Sequence, residues 1–185
     1  MILVKRNWLH DQAELTRTFG QMKKDRFPIC LMDIILVIDW IGLTTFVEGT
    51  RLSPKKLSES RDFCEERGKP VLSHCLLPRF KGFQACVKEL KGSHIKAIYD
   101  VTIAYSRGSE FQKSPLMSEI LYGAHLPSWK FHIHTRRYSM ESVPLTDKEL
   151  ETWLTERWVE KDRILDEMKE NWTNARSIGL LKDME

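Results

Sequence analysis

Leu43-Thr44-Thr45-Phe46-Val47, then Glu48-Gly49-Thr50-Arg51, then Ser53-Pro54 reads as a strand, a polar turn and a helix start in one short stretch. β-Branched and aromatic residues suit an extended, buried segment. An acid, a glycine, a hydroxyl and a fixed cation end that segment abruptly at the edge of a sheet. Ser53 is an N-cap and Pro54 fits the first helical position, where no amide hydrogen is needed. Gly68 supplies a left-handed stop before Pro70, so the helix that carries Leu57 and Phe63 ends there. Strand followed by helix at this point sets the fold class as α/β.

The pattern continues in both directions. Upstream, Ile2-Leu3-Val4 is a short apolar start, and Trp8, Leu15, Phe19 and Met22 fall at helical spacings among charged neighbours. Downstream, Val71-Leu72 and Leu76-Leu77 form an extended segment. Lys81 to Leu90 is a short helix closed by Gly92, and Ile95 to Tyr105 is the longest strand. Ser114-Pro115 opens a helix ending at Gly123. In the strand Trp129 to Tyr138, Lys130, His132, His134 and Arg136 share one face and Trp129, Phe131 and Ile133 the other. Thr146 with Glu149 is a capping box that starts a long final helix bearing Leu150, Trp153, Leu154, Trp158, Leu165 and Met168. The expected architecture is a mixed, largely parallel sheet flanked by helices, with ligands outside the strand ends.

With 185 residues, 42% of them hydrophobic and 30% charged, the chain suits one globular domain. A net charge of +3 is too mild to argue for a nucleic-acid partner, and it tolerates an anionic membrane surface or a phosphorylated ligand. Cys30, Cys64, Cys75 and Cys86 have no CxxC spacing and read as reduced, structural thiols. The most apolar stretch, Leu31 to Val47, contains Asp33 and Asp39. A carboxylate near a bilayer centre costs roughly 2.5 to 3.5 kcal/mol, so the stretch reads as buried strand, broken at Asp39 to Gly42, and not as a membrane span.

The turn is the chemical signal. Arg51 can hold an anionic oxygen through a bidentate fork while Gly49 lets the backbone approach it, which makes a phosphate seat. Other polar residues read as structural. His132 and His134 share a strand face without a third metal ligand at a suitable spacing, which fits a solvated or interface strand. Asp100, within Tyr99-Asp100-Val101, fits a carboxylate paired with a cation or with backbone amides.

Four blocks in order, Lys5-Arg6-Asn7-Trp8, Glu48 to Arg51, Leu76-Leu77-Pro78-Arg79-Phe80-Lys81-Gly82-Phe83 and Ala97 to Tyr105, resemble the 1-acylglycerol-3-phosphate and lysophospholipid acyltransferases. The resemblance is to the eukaryotic endoplasmic-reticulum branch that includes fungal lysophosphatidylinositol acyltransferases. It implies a partial acyltransferase domain over residues 1–170 and a tail over 171–185. It also implies acyl transfer from acyl-CoA to a lysophospholipid at the endoplasmic-reticulum membrane, with acyl-CoA as substrate and no bound cofactor. By position, phosphate binding falls to Arg6, Glu48, Gly49, Thr50 and Arg51, with Glu48 orienting Arg51 or an acceptor hydroxyl. Shaping of the pocket falls to Pro70, Leu77, Pro78 and Arg79.

The family also places a His, four residues and an Asp upstream of the arginine block, where the imidazole acts as general base. Here the positions five after His10, His74, His94, His125, His132 and His134 hold Leu15, Arg79, Tyr99, Lys130, Arg137 and Ser139. The expectation is a chain shortened at its N-terminus, inactive alone, whose missing part would meet the membrane. The alternatives are a non-catalytic lipid-headgroup module and an unrelated α/β domain. The interval from Pro28 to Phe46 is longer and more apolar than the family pattern, so Cys30 to Asp39 is expected to be an insertion.

Overall fold

The computed structural model describes residues 16–17, 29–32, 43–93, 95–107, 110–112 and 129–173. Its elements are strands β1 (Ile29–Met32) and β2 (Leu43–Thr45), helices α1 (Pro54–Glu66) and α2 (Phe80–Leu90), strands β3 (Ala97–Arg107), β4 (Glu110–Phe111) and β5 (Trp129–Ser139), a 3-10 turn at Met140–Ser142, and helix α3 (Asp147–Thr173). Thr16 and Arg17 are helical. The expected first strand, the rest of the first helix and the helix from Ser114 to Gly123 lie outside the described residues.

The sheet is mixed, but it is not largely parallel. β3 and β5, 11 residues each, pair antiparallel along their full length, and β4 adds a short antiparallel hairpin to the end of β3. The parallel part is small: the 4-residue β1 lies between β3 and the 3-residue β2. The expectation of parallel strands came from reading each helix as a crossover. β3 and β5 are long enough to satisfy one another directly, and an antiparallel pair needs no crossover helix. The start of the apolar segment read as an insertion forms β1, between β2 and β3, and the rest of it lies outside the described residues.

Local signals account for the helices. Ser53 Oγ accepts the Lys56 amide at 3.3 Å, Pro54 begins α1, and Gly68 follows its end in the left-handed region at φ +59°. The face that α1 buries is centred on Cys64. Phe63, expected inside, is 39% exposed and lies under the Arg67 guanidinium. Thr146 Oγ1 donates to Glu149 at 2.6 Å and accepts the Glu149 amide at 3.4 Å, so the capping box opens α3 as expected. The segment from Val71 to Leu77 is irregular and not a strand.

α3 is the spine of the core. Leu150, Leu154, Trp158 and Leu165 are buried along it, against Phe83, Val87 and Leu90 of α2, Ile98 of β3, and Val47 and Leu72 of the loops. Phe83 stacks on Trp153 with ring centroids 6.0 Å apart, and Lys88 pairs with Asp147 at 2.5 Å. Cys64, Cys75 and Cys86 are buried, and burial pushes the Cys86 thiol up to about 12.

Candidate functional site

Among the described strands β2 lies at the edge of the sheet, and the chain leaves it through a turn in which the Gly49 amide donates to Phe46 O at 3.0 Å. Gly49 takes φ +70°, a conformation with little steric cost only for glycine. The turn splits its residues between inside and outside. Val47 and Glu48 are buried, Thr50 is half-buried, and Gly49 and Arg51 are exposed.

The Pro78-Arg79 loop meets this turn. The Arg79 amide donates to Val47 O at 2.7 Å, and the Arg79 side chain runs across Gly49. A Cβ at position 49 would stand 2.8 Å from Arg79 Cδ and 3.0 Å from Nε, so the bare glycine is what admits the arginine. Two segments far apart in sequence, the turn at Val47 to Gly49 and Arg79, thus touch. Leu77 and Pro78 lead into it half-buried, with the Leu77 amide on Ser60 Oγ at 3.4 Å. Pro70 stands elsewhere, on an open groove with Lys69, Lys148, Glu151 and Arg163 that includes neither the turn nor Arg79. Arg6 lies outside the described residues.

Beneath the turn runs a buried chain of charges that sequence reasoning missed. Trp158 Nε1 donates to Glu48 Oε1 at 3.1 Å, and the Trp158 ring lies 4.4 Å from Lys161 Nζ. Lys161 is 2% exposed; its ammonium lies 2.9 Å from Asp100 Oδ1 and donates to Val101 O at 3.1 Å. Arg136 Nη2 donates to Asp100 Oδ2 at 2.8 Å, and Nη1 lies 2.6 Å from Glu160. Asp100 is therefore structural, as expected for a lone strand carboxylate. Burial alone would lower the Arg136 pKa, but the hydrogen bond and charge of Asp100, helped by Tyr138 and Glu160, more than offset it and hold it above its usual value. Burial, followed by the charge of Arg136, lowers His134. The His132 and His134 face of β5 lies half-buried toward α3, and Phe131 and Ile133 face outward, each 52% exposed.

α3 holds the second loop in the same way. One turn beyond Trp158, the Asp162 carboxylate accepts the amides of Ser73 at 2.8 Å and His74 at 2.6 Å; a turn further, Asp166 pairs with His74 Nε2 at 2.8 Å. Trp158, Asp162 and Asp166 recur every four residues, so one helix face carries all three. That spacing is visible in the sequence, where Trp158 had registered only as an apolar position. Among the described residues, no group of three His, Cys, Asp or Glu is placed to hold a metal, and no helix is long and apolar enough to cross a membrane.

A family model described as "Acyltransferase C-terminus" matches residues 119–175. A probable 1-acyl-sn-glycerol-3-phosphate acyltransferase 5 from Arabidopsis thaliana is 34% identical over 170 residues, covering 92% of this chain and 40% of the relative. The human 1-acyl-sn-glycerol-3-phosphate acyltransferase gamma is 32% identical over 164 residues, covering 89% and 38%.

This chain belongs to the acylglycerol-phosphate acyltransferase family.

Within that family the likeness extends to lysocardiolipin acyltransferase 1 from Gallus gallus, 31% identical over 165 residues. This acyltransferase-family chain spans about 40% of the length of the Arabidopsis relative. No solved structure matches it. The matched C-terminal segment contains β5 and α3, the elements that hold Asp100, Glu48 and His74 from below.

Proposed function

We propose that this chain supplies the acceptor-binding part of an enzyme that moves an acyl group from acyl-CoA to a lysophospholipid, of the lysophosphatidic acid or lysophosphatidylinositol type, at the endoplasmic-reticulum membrane. In that reaction the acceptor hydroxyl attacks the thioester carbonyl, its proton passes to a base, and the coenzyme A thiolate leaves. What supports the reading is the contact of Arg79 with Gly49 and Val47 of the turn that ends in Arg51, both arginines being exposed. A phosphate on the acceptor is the anion such a surface suits, because guanidinium forks match phosphate oxygens. The names of the relatives favour the same acceptor class.

The base is a separate matter. The His and Asp separated by four residues that the family uses have no counterpart in this sequence. His74 and Asp166 are paired, but they fasten the bend at Ser73 to Cys75, and the imidazole packs edge-on against Phe111 with centroids 5.6 Å apart. Residues 1–185 are therefore expected to bind lysophosphatidic acid without acylating it. Radiolabelled acyl-CoA incubated with the purified chain and lysophosphatidic or lysophosphatidylinositol acceptors tests this; sustained acyl transfer would place the base within the chain. Binding without transfer is also the behaviour of a lipid-headgroup module. Adding a segment that carries the His-x4-Asp pair, in cis or in trans, separates the two, since only the acyltransferase reading gains turnover.

A further inference from the structure

Resting on the reading of the acceptor as a membrane lipid, we propose that the outer face of the β3–β5 pair is a membrane-docking surface that lays Phe131 and Ile133 into the interface of an anionic bilayer. Side chains alternate between the two faces of a sheet. One face, with Ile98, Asp100 and Arg136, packs on α2 and α3. The other is apolar in consecutive cross-strand rows: Phe131 lies opposite Tyr105, Ile133 opposite Ile103 and Thr135 opposite Val101. Trp129 extends it, stacked on Phe131 with ring centroids 6.3 Å apart and tilted against Tyr105 at 6.4 Å. Phe131 and Ile133 are each 52% exposed. Single exposed apolar residues are ordinary, but two neighbours on one strand face, backed by an apolar second strand, form a contiguous patch of the kind that marks an interaction surface.

Charge selects the occupant. β5 carries Lys130, Arg136 and Arg137 and no acid. Arg136 is engaged by Asp100 and Glu160 on the inner side, whereas Lys130 and Arg137 are exposed. Glu110, the acid of the adjoining β4, pairs with Arg107 at 3.5 Å, and the Arg107 guanidinium lies over the Trp129 ring. An aromatic and aliphatic patch with a cationic rim suits the headgroup level of a bilayer that contains acidic lipids. A second copy of the chain would set the same cations against each other. Position agrees with a lipid surface as well. β2, β1 and β3 run parallel, with Thr45 level with Leu31 and Leu31 level with Asp100. The chain therefore leaves β2 toward the end of the sheet where Ile103 and Tyr105 lie with their partners Ile133 and Phe131. The docking patch and the acceptor turn share that end.

Co-sedimentation of the 185-residue chain with vesicles free of lysophospholipid tests this, using phosphatidylcholine alone and phosphatidylcholine with about one-third phosphatidylserine. The chain is expected to bind the mixed vesicles more tightly. Phe131→Glu with Ile133→Glu should weaken that binding about tenfold or more, the scale of withdrawing two half-exposed apolar side chains from an apolar phase. Phe131→Ser alone, which adds no charge, should weaken it in the same direction, and Phe131→Trp should retain it. None of these should move the melting temperature, because both side chains already meet water. Val159→Glu, at an exposed apolar position of α3, should leave vesicle binding unchanged. Lys130→Gln with Arg137→Gln should erase the preference for phosphatidylserine. No vesicle binding by the unaltered chain, full binding by the double glutamate variant, or an equal loss in Val159→Glu overturns the proposal. A dimer in sedimentation velocity that the two glutamates dissociate also overturns it, since a second copy then covers the face. Binding of a short-chain lysophosphatidic acid, measured alongside, keeps the two readings apart: its absence overturns the acceptor site, while loss of vesicle binding in the glutamate variant still supports the docking face.

Discussion

The two sides of the Phe46 to Arg51 turn treat charge in opposite ways. On the inner side Glu48, Lys161 and Asp100 are buried and Arg136 is half-buried, and each is held by named partners through a chain of short contacts. On the outer side Arg51 and Arg79 are exposed, and the Arg79 guanidinium rests on Gly49. Buried charges are costly unless fully matched, so the inner set fixes where the backbone goes. Exposed cations add little to stability, so the outer set does little to fix the backbone. The family's C-terminal segment contributes to the inner side: it brings Trp158 and Lys161 under the turn and Asp162 under the Ser73-His74 amides.

The largest test of that division is Asp100→Ala. It strips a counter-charge from Lys161 and one of two from Arg136 at once, and breaking a buried pair in this way costs about 3 to 5 kcal/mol. Urea unfolding reads the loss directly. A cost below about 1 kcal/mol would show that water reaches these groups and that the inner side is no more committed than the outer one.

Trp158→Phe is a smaller cut at the same boundary. The ring stays above Lys161 while the N–H that Glu48 accepts is removed, leaving a buried carboxylate oxygen without that donor. The expected loss is about 1 to 3 kcal/mol in unfolding free energy, with lysophosphatidic acid binding weakened because the turn is no longer anchored. A stability loss with affinity intact would mean that the outer surface keeps its shape without the inner one.

The division also explains what could be read from the sequence. Capping residues act over three or four positions, so Ser53, Thr146 and Gly68 placed helix ends correctly. The lone Asp100 was legible because a strand carboxylate needs a cation. The partner at position 161 was not, since a lysine amid Trp158, Asp162 and Leu165 looks the same in sequence whether it points to water or under a sheet. Strand direction escaped for a related reason: β3 and β5 each show where a strand lies, but which neighbour runs alongside depends on contacts across the whole domain. Gly49 and Arg79 were each flagged for the site, yet their contact depends on the path of the loop between them and has no local signature.

His134 gives the smallest expected effect and probes the inner side by pH. It sits opposite Thr102 on the face that turns toward α3, with Arg136, Asp100, His132 and Glu160 as its charged and titratable neighbours. Burial, then the positive charge of Arg136, holds its imidazole below the ordinary 6.5, while Asp100 and Glu160 pull the other way without prevailing. The unfolded chain, with its imidazole at 6.5, therefore takes up a proton first as the pH falls. Stability is unaffected above that value, declines as the pH drops through it, and levels off once the folded imidazole is protonated too. His134→Gln should flatten that part of the curve when unfolding is compared at about pH 7.5 and about pH 5.5. An unchanged slope would mean that the histidine face is solvated and that the matched interior ends at Arg136, two residues further along β5.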